Sequence, residues 1–405
     1  MEHGLSRGRL AFVTLLIAML AMVGPFTIDT MFPAFNLIGA DVGADAVAMQ
    51  QVTSVYMLAF ASMCLWHGPI SDAIGRRKVI LAGLVVFAIA SVVCAVATTL
   101  PVLLVGRALQ GLAAGGAQII ARTVIRDLHA GAAAQRMMAQ VNMIFAVAPA
   151  VAPIVGGLIL GVATWHWIFW LLVALAVVLI GLVLFGLPET HHESERRPLR
   201  VRPILTSLRT VLTNPTFLKL AGAGTFAFAA QFIYIVSAPE LILTLLGKGE
   251  QDFWILFVPM VAGMMLGALV ASRLADKVPP LRLATIGMGI MVVAAALNLA
   301  IAAVPAAQVL PWVLALPPVI AFAVQLEFPV VQLLMLDCFP AMRGAAASGQ
   351  SFVQLLFNAF LAGVISPVAT TSLPMLAVAS AVLAVLGACF WGWYRASLRN
   401  ETKPV

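Results

Sequence analysis

Apolar residues run along this chain in long stretches, each about 20 residues and so long enough to cross ~30 Å of hydrocarbon as a helix. The pattern predicts spans at 9–35, 49–70, 78–98, 101–125, 137–160, 166–187, 215–245, 252–274, 282–303, 310–336, 344–369 and 373–394. A closed barrel is the only other architecture that satisfies its backbone in lipid, and it needs short, strictly alternating strands. The runs do not alternate. The expected fold class is all-α and integral to the membrane, with twelve transmembrane helices. The first run is read as a span and not as a cleaved leader, being too long for an h-region and carrying Gly24, Pro25, Asp29 and Pro33.

Composition sharpens this picture. Of the 405 residues, 62% are hydrophobic and 10% charged, with a mean hydropathy of +1.06. A soluble domain carries about 25% charged residues, so this chain has too little polar surface to cover itself in water. Among the 23 Lys and Arg, Arg107, Arg122 and Lys219 lie within spans, and of the rest only Lys248 falls opposite the N-terminus. That asymmetry places both termini in the cytoplasm. The net charge of +7 then reflects topology and attraction to the bilayer surface. A nucleic-acid partner is excluded, because the arginines are dispersed over separate loops. Cys64, Cys94, Cys338 and Cys389 lie in or beside apolar runs without metal-ligand spacing, and are expected to be reduced, buried and unpaired.

The chain divides in its middle. Residues 188–214 interrupt the apolar pattern with Pro188, His191, Glu193, Glu195, Arg196, Arg197, Pro198, Arg200, Arg202 and Arg209. The expected organisation is a six-helix bundle over 1–190, a basic cytoplasmic linker over 191–214 and a second bundle over 215–405. Asp72 and Asp276 follow the second and eighth spans, and Pro153 and Pro367 fall in the fifth and eleventh, as weak internal echoes. Two such halves suit alternating access around a midplane site.

Four local motifs carry more specific information. After the second span the chain reads Gly68-Pro-Ile-Ser-Asp72-Ala-Ile-Gly75-Arg76-Arg77-Lys78. Its glycines allow a tight turn, and Asp72 can either bond a helix N-terminus or pair with Arg76. The fourth span holds Arg107-Ala-Leu-Gln110-Gly111, on one stripe with Gly115, Gln118 and Arg122, and ends at Asp127. An arginine inside an apolar helix costs a few kcal/mol, so it should face a partner or water; the alternative is that it snorkels outward. The fifth span carries Pro149, Ala152, Pro153, Gly156 and Gly157, giving a kinked helix with a flat face. The first span holds Ile28-Asp29-Thr-Met-Phe-Pro33-Ala34, and the tenth ends in Asp337-Cys-Phe339-Pro340-Ala-Met-Arg343-Gly344.

These motifs resemble the major facilitator superfamily. The first loop is similar to its signature G-x-x-x-D-x-x-G-R-[RK], with Ala73 where a basic residue is usual. The fifth span is similar to its antiporter motif G-P-x-x-G-G, with Ala152 replacing the first glycine. The Asp29 and Asp337 segments resemble the bicyclomycin-resistance (Bcr/CflA) branch of drug/proton antiporters. The resemblance implies a proton-coupled secondary exporter of drug-like or amphiphilic molecules in a bacterial inner membrane, working as a monomer without a cofactor. An exporter of one endogenous metabolite is the alternative; an uptake permease is disfavoured by the antiporter motif.

Candidate roles follow. An intramembrane acid that cycles between charged and neutral forms is a natural proton carrier, and Asp29 lies at a depth similar to Arg107. A fixed Asp29–Arg107 structural pair is the competing reading. Glu327, in the tenth span, is a second proton or counter-charge candidate, or else a structural hydrogen bond to a neighbouring helix. A substrate cavity is expected from Tyr56, Gln118, Asn142, Gln231, Tyr234, Gln354 and Asn358 set among Phe and Met. A conformational gate is expected from Gly68, Asp72, Gly75, Arg76, Arg77 and Asp127, with Pro153, Gly156, Gly157, Asp337 and Arg343. His67 and His166 are read as helix-end packing. No hydrolytic triad, metal cluster or phosphate-binding loop is visible, which argues against a membrane enzyme.

Overall fold

The computed structural model describes residues 7–128, 131–191, 196, 199–275 and 277–401. All regular structure among them is helical. The order is α1 (Arg7–Asp29), a 3₁₀ turn (Phe32–Ala34), α2 (Phe35–Val42), α3 (Ala46–Cys64), α4 (His67–Ile74), α5 (Arg76–Ala95), α6 (Leu100–Leu128), α7 (Gly131–Leu160) and α8 (His166–Gly186). After the polar segment come α9 (Val201–Leu212), α10 (Pro215–Val236), a π segment (Glu240–Leu245), α11 (Trp254–Leu274), α12 (Pro280–Ala302) and α13 (Pro317–Asp337). The chain ends with α14 (Arg343–Phe360), a second π segment (Leu361–Ile365), α15 (Ser366–Ala369) and α16 (Leu373–Glu401). Eleven helices among the described residues are long and apolar enough to span a bilayer. The 30-residue α7 contributes the apolar stretch Val147–Leu160, which corresponds to the fifth span.

Backbone contacts divide the chain into two units, Met1–Arg200 and Val201–Val405. In the first, α3 and α5 each pack on α6, α5 packs on α8, and α1 packs on α6 and α7. The second repeats this neighbour pattern: α11 and α12 pack on α13, α12 packs on α16, and α10 packs on α13 and α14. Large apolar side chains point outward, Leu158, Phe185 and Trp393 among them, while Arg107, Gln110, Gln231 and Glu327 are buried. That inversion is what a lipid solvent selects.

Two local departures have clear causes. The span read as 9–35 breaks after Asp29. Pro33 stands four residues on and has no N–H, so the Asp29 carbonyl loses the donor that would continue the helix. Within the segment read as a linker, Val201–Leu212 forms the short helix α9. Leu208 and Val211 are buried, and Val211 and Leu212 lie against Gly349 of α14, as an apolar stripe at helical spacing allows. α10 then starts cleanly, with Asn214 Oδ1 accepting from Phe217 N at 2.9 Å and Pro215 at the first helical position. All four cysteines are free; Cys64 and Cys94 are buried as expected, but Cys389 faces outward on α16. Asp276, the echo of Asp72, lies outside the described residues.

Candidate functional site

Asp29 closes α1 with its side chain buried, 4% exposed. No Lys or Arg among the described residues comes within 4.0 Å of its carboxylate. Arg107 is fully buried on α6 and directs its donors to uncharged acceptors. Its Nε donates to the Val52 carbonyl on α3 (3.2 Å), and Nη1 donates to the Thr27 carbonyl on α1 (3.3 Å) and to Gln110 Oε1 (2.9 Å). The Gln110 amide donates to Ser91 Oγ on α5 (2.8 Å), whose hydroxyl donates to the Phe87 carbonyl (2.7 Å). The guanidinium carbon sits 4.4 Å from the centre of the Tyr56 ring, a cation–π contact. Arg107 therefore ties four helices together. It does not snorkel, and the fixed Asp29–Arg107 pair is not formed: Nε and Nη1 turn to backbone carbonyls and Gln110 instead.

Around this knot other polar groups lack protein partners. Arg107 Nη2, both amide atoms of Gln50 and the Thr53 hydroxyl are buried without one. Tyr56 is fully buried, donates to the Gly24 carbonyl at 3.2 Å and lies within electrostatic reach of both Asp29 and Arg107. Gln118 Oε1 also has no partner and faces the backbone of Gly24 on α1. Gly156 of α7 abuts the same region. A Cβ there would lie 2.1 Å from the Thr30 carbonyl oxygen, one residue past Asp29, so only glycine lets α7 pack on the end of α1. Pro153 and Gly157 are buried on that helix, and Pro149 and Pro153 both lie within it. The side chains of Asn142 and Arg122 fall outside the described residues.

At the other end of these helices the signature loop forms a charge cluster within the first unit. Arg76 is buried and pairs with Asp72 one turn back on α4, with Ser71 Oγ and, through Nε, with Asp127 Oδ2 at the end of α6 (3.2 Å). Asp72 does not bond the N-terminus of α5. Glu189, beyond the end of α8, does so by accepting from the Arg76 amide at 2.8 Å. A carboxylate there complements the positive end of the helix dipole. The turn requires Gly75, whose φ is +106°, and a Cβ there would meet Glu189 Oε2 at 2.5 Å. Thr190 Oγ1 donates to Asp127 Oδ2 (3.0 Å), so the chain after α8 clasps the loop. Gly68 opens outward in the first turn of α4, with no neighbour near its Cβ position. Arg77 leaves the cluster and bonds the Leu184 carbonyl of α8.

In the second unit Glu327 is fully buried on α13, and neither carboxylate oxygen has a protein partner. The alternative of a hydrogen bond to a neighbouring helix is not realised. Its Cβ lies 3.1 Å from where a Cβ on Gly287 of α12 would stand, so it packs against the small-residue face of that helix. Gln231 on α10 is likewise fully buried with both amide atoms unpartnered, and Asn358 on α14 has a partnerless Oδ1. Gln354 is half-buried. Tyr234 is different: its hydroxyl accepts from Asn298 Nδ2 at 2.7 Å, so it ties α10 to α12. Asp337 and Arg343 form a 3.2 Å ion pair that is more than half exposed, of the kind that contributes ~0–1 kcal/mol. His67 is buried against Gly115 and Gly116, and His166 stacks on Trp165.

Sequence reading missed Glu189, Gln50, Thr53 and Ser91. Glu189 stands in Pro188-Glu-Thr190 directly after an apolar run, and an acidic residue at that boundary was the available signal.

Comparison with known proteins gives this geometry a family. The Major Facilitator Superfamily description matches residues 11–367. An uncharacterized MFS-type transporter, YdgK of Bacillus subtilis, is 32% identical over 67% of this chain and 67% of its own length. Multidrug resistance protein D of Escherichia coli K12 is 31% identical over 66% of this chain and 67% of its own. A bicyclomycin resistance protein homolog of Haemophilus influenzae is 26% identical over 65% and 66%. Among solved structures, a D-xylose–proton symporter superposes with a TM-score of 0.73 at 15% identity, covering 94% of this chain and 97% of that one. Helix content, repeated packing, signature loop and matched length agree, and this chain belongs to the major facilitator superfamily, a family of membrane transporters.

Proposed function

We propose that the chain is a proton-coupled antiporter that exports drug-like or amphiphilic small molecules by alternating access. The carrying observation is Asp29: a buried carboxyl at a helix break with no ion pair, which can gain or lose a proton without breaking a salt bridge. Relatives named for multidrug and bicyclomycin resistance support the substrate class. Gly156, packed on the residue after Asp29, supports the exporting direction through the antiporter motif. In this reading Arg107 fixes the helices around Asp29. Glu327 is a second buried acid that takes a proton or a cationic substrate group. Gln118, Gln231 and Asn358 offer unpartnered polar atoms to a substrate, since buried polar groups normally find partners. In the first unit Tyr56 joins Gln118 in this role; in the second Gln354 joins Gln231 and Asn358, with Tyr234 as support through Asn298. Asp72, Arg76, Asp127 and Glu189 form the gate. The protein works as a monomer in a bacterial inner membrane with both termini in the cytoplasm.

The test is transport in inverted vesicles with an imposed pH gradient and a panel of cationic, neutral and anionic compounds. Uptake of several amphiphiles that needs the gradient is expected. Uptake confined to one metabolite would replace this reading with a dedicated exporter, and accumulation only in right-side-out vesicles would overturn the direction.

A further inference from the structure

Arg76 and Arg77 are adjacent in sequence but serve different places. Arg76 turns into the acidic cluster, whereas Arg77 crosses to α8 and donates from Nη2 to the Leu184 carbonyl. Its Nε is enclosed without a protein partner. Leu184 precedes Phe185 on α8, which with Gly181, Leu182 and Gly186 and with Phe12 of α1 lines an open groove of about 420 Å³. Two glycines shape it. A side chain on Gly181 would stand in open space, while one on Gly186 would strike the Phe12 ring. Phe185 is 93% exposed, so the groove belongs to the outward apolar surface of the first unit.

Under the cytoplasmic placement of the termini proposed above, the groove lies where α1 begins and α8 ends, at the boundary of hydrocarbon and headgroups in the inner leaflet. Hydrocarbon, and not water, fills an apolar groove at that depth. Arg77, bonded to the α8 carbonyl one residue before Phe185, and the exposed Lys78, next on α5, add positive charge on the side that attracts anionic lipid. No carboxylate among the described residues lines the groove, so none of them offers a cationic amphiphile a counter-charge there. We infer that the groove binds an anionic phospholipid of the cytoplasmic leaflet, with one acyl chain along Gly181, Leu182 and the Phe12 ring and the phosphate on Arg77. The inference rests on the proposed orientation but not on export.

Lipid binding to detergent-purified protein, followed by native mass spectrometry, tests it with dioleoyl phosphatidylglycerol against dioleoyl phosphatidylcholine. Wild type should bind the glycerol lipid about tenfold more tightly, equivalent to ~1.4 kcal/mol. Gly181→Leu fills the groove and should reduce binding of both lipids. Arg77→Gln should keep chain binding and erase the tenfold preference. That arm decides alone if Gly181→Leu does not fold. Equal affinities in wild type, or an unchanged preference in Arg77→Gln, would overturn the site. So would a Gly181→Leu protein that binds lipid normally but amphiphilic drug weakly, which would make the groove a substrate portal. Because the readout is lipid occupancy, a negative result here leaves export untouched, and failed export leaves this result standing.

Discussion

A charge buried in lipid has to be explained one residue at a time, and Asp29 and Arg107 turn out to be unlike. Arg107 donates to two backbone carbonyls and a glutamine and covers a tyrosine ring. Arg107→Ala therefore removes the donor of Gln110 Oε1 and the ties to α1 and α3, at about 1–3 kcal/mol for each acceptor left unsatisfied, and the folded yield should fall sharply. Asp29 holds no cation, so Asp29→Asn, of nearly equal volume, should insert and fold like wild type, bind substrate and lose pH-driven export. Thermal melts of both variants in detergent check the asymmetry; a matched loss of stability would restore the fixed-pair reading. How much of this was legible in sequence depends on the residue. Asp29, Arg107 and Glu327 stood out because an ionisable group in an apolar run is costly wherever it points. Gln50, Thr53 and Ser91 did not, since a small polar residue in a span can equally bond its own helix, as Ser91 also does. Tyr234 was assigned to substrate because its partner Asn298 is 64 residues away in sequence.

Helices and turns add constraints that composition hides. Pro33 ends α1 at Asp29 by removing one donor, and Gly156 lets α7 reach that break. Gly156→Ala places a methyl 2.1 Å from a backbone oxygen, which cannot rotate away. α1 and α7 must separate, and export should fall at least about tenfold if the shift raises the transport barrier by ~1.4 kcal/mol. Transport by Gly156→Ala at the wild-type rate would show that the contact does not govern turnover. The signature loop was legible in its spacing, but its closing partner was not. An acidic residue in a polar stretch reads as solvated until the fold brings Glu189 to the α5 amide. Glu189→Ala removes that capping carboxylate, worth about 1 kcal/mol. It should slow turnover as Asp72→Asn does while leaving substrate affinity within a factor of two or so, since neither group lines the proposed cavity. Equilibrium binding beside transport rate separates the two quantities; affinity falling in step with rate would remove both residues from the gate. Gly75→Ala should be worse than either, combining a left-handed φ with a 2.5 Å contact to Glu189.

At the scale of the whole molecule, export against a gradient needs an energy source. The sequence contains no G-x-x-x-x-G-K-[ST] loop to cradle a nucleotide, while among the described residues each unit buries one carboxyl without an ion pair, Asp29 in the first and Glu327 in the second. Export should therefore collapse when a protonophore dissipates the pH gradient, even with ATP supplied. Efflux that survives the protonophore and stops on ATP depletion would overturn the coupling. Which acid carries the proton follows from a second measurement, proton release when substrate is added to purified protein in weakly buffered detergent. If substrate and proton compete at Asp29, wild type and Glu327→Gln release protons and Asp29→Asn does not. Equal release from wild type and Asp29→Asn, with none from Glu327→Gln, would transfer the role to the second unit. Loss of release in each single variant would mean that the two acids act in one cycle. In that case the pair, and neither residue alone, would set how many protons enter for each molecule expelled.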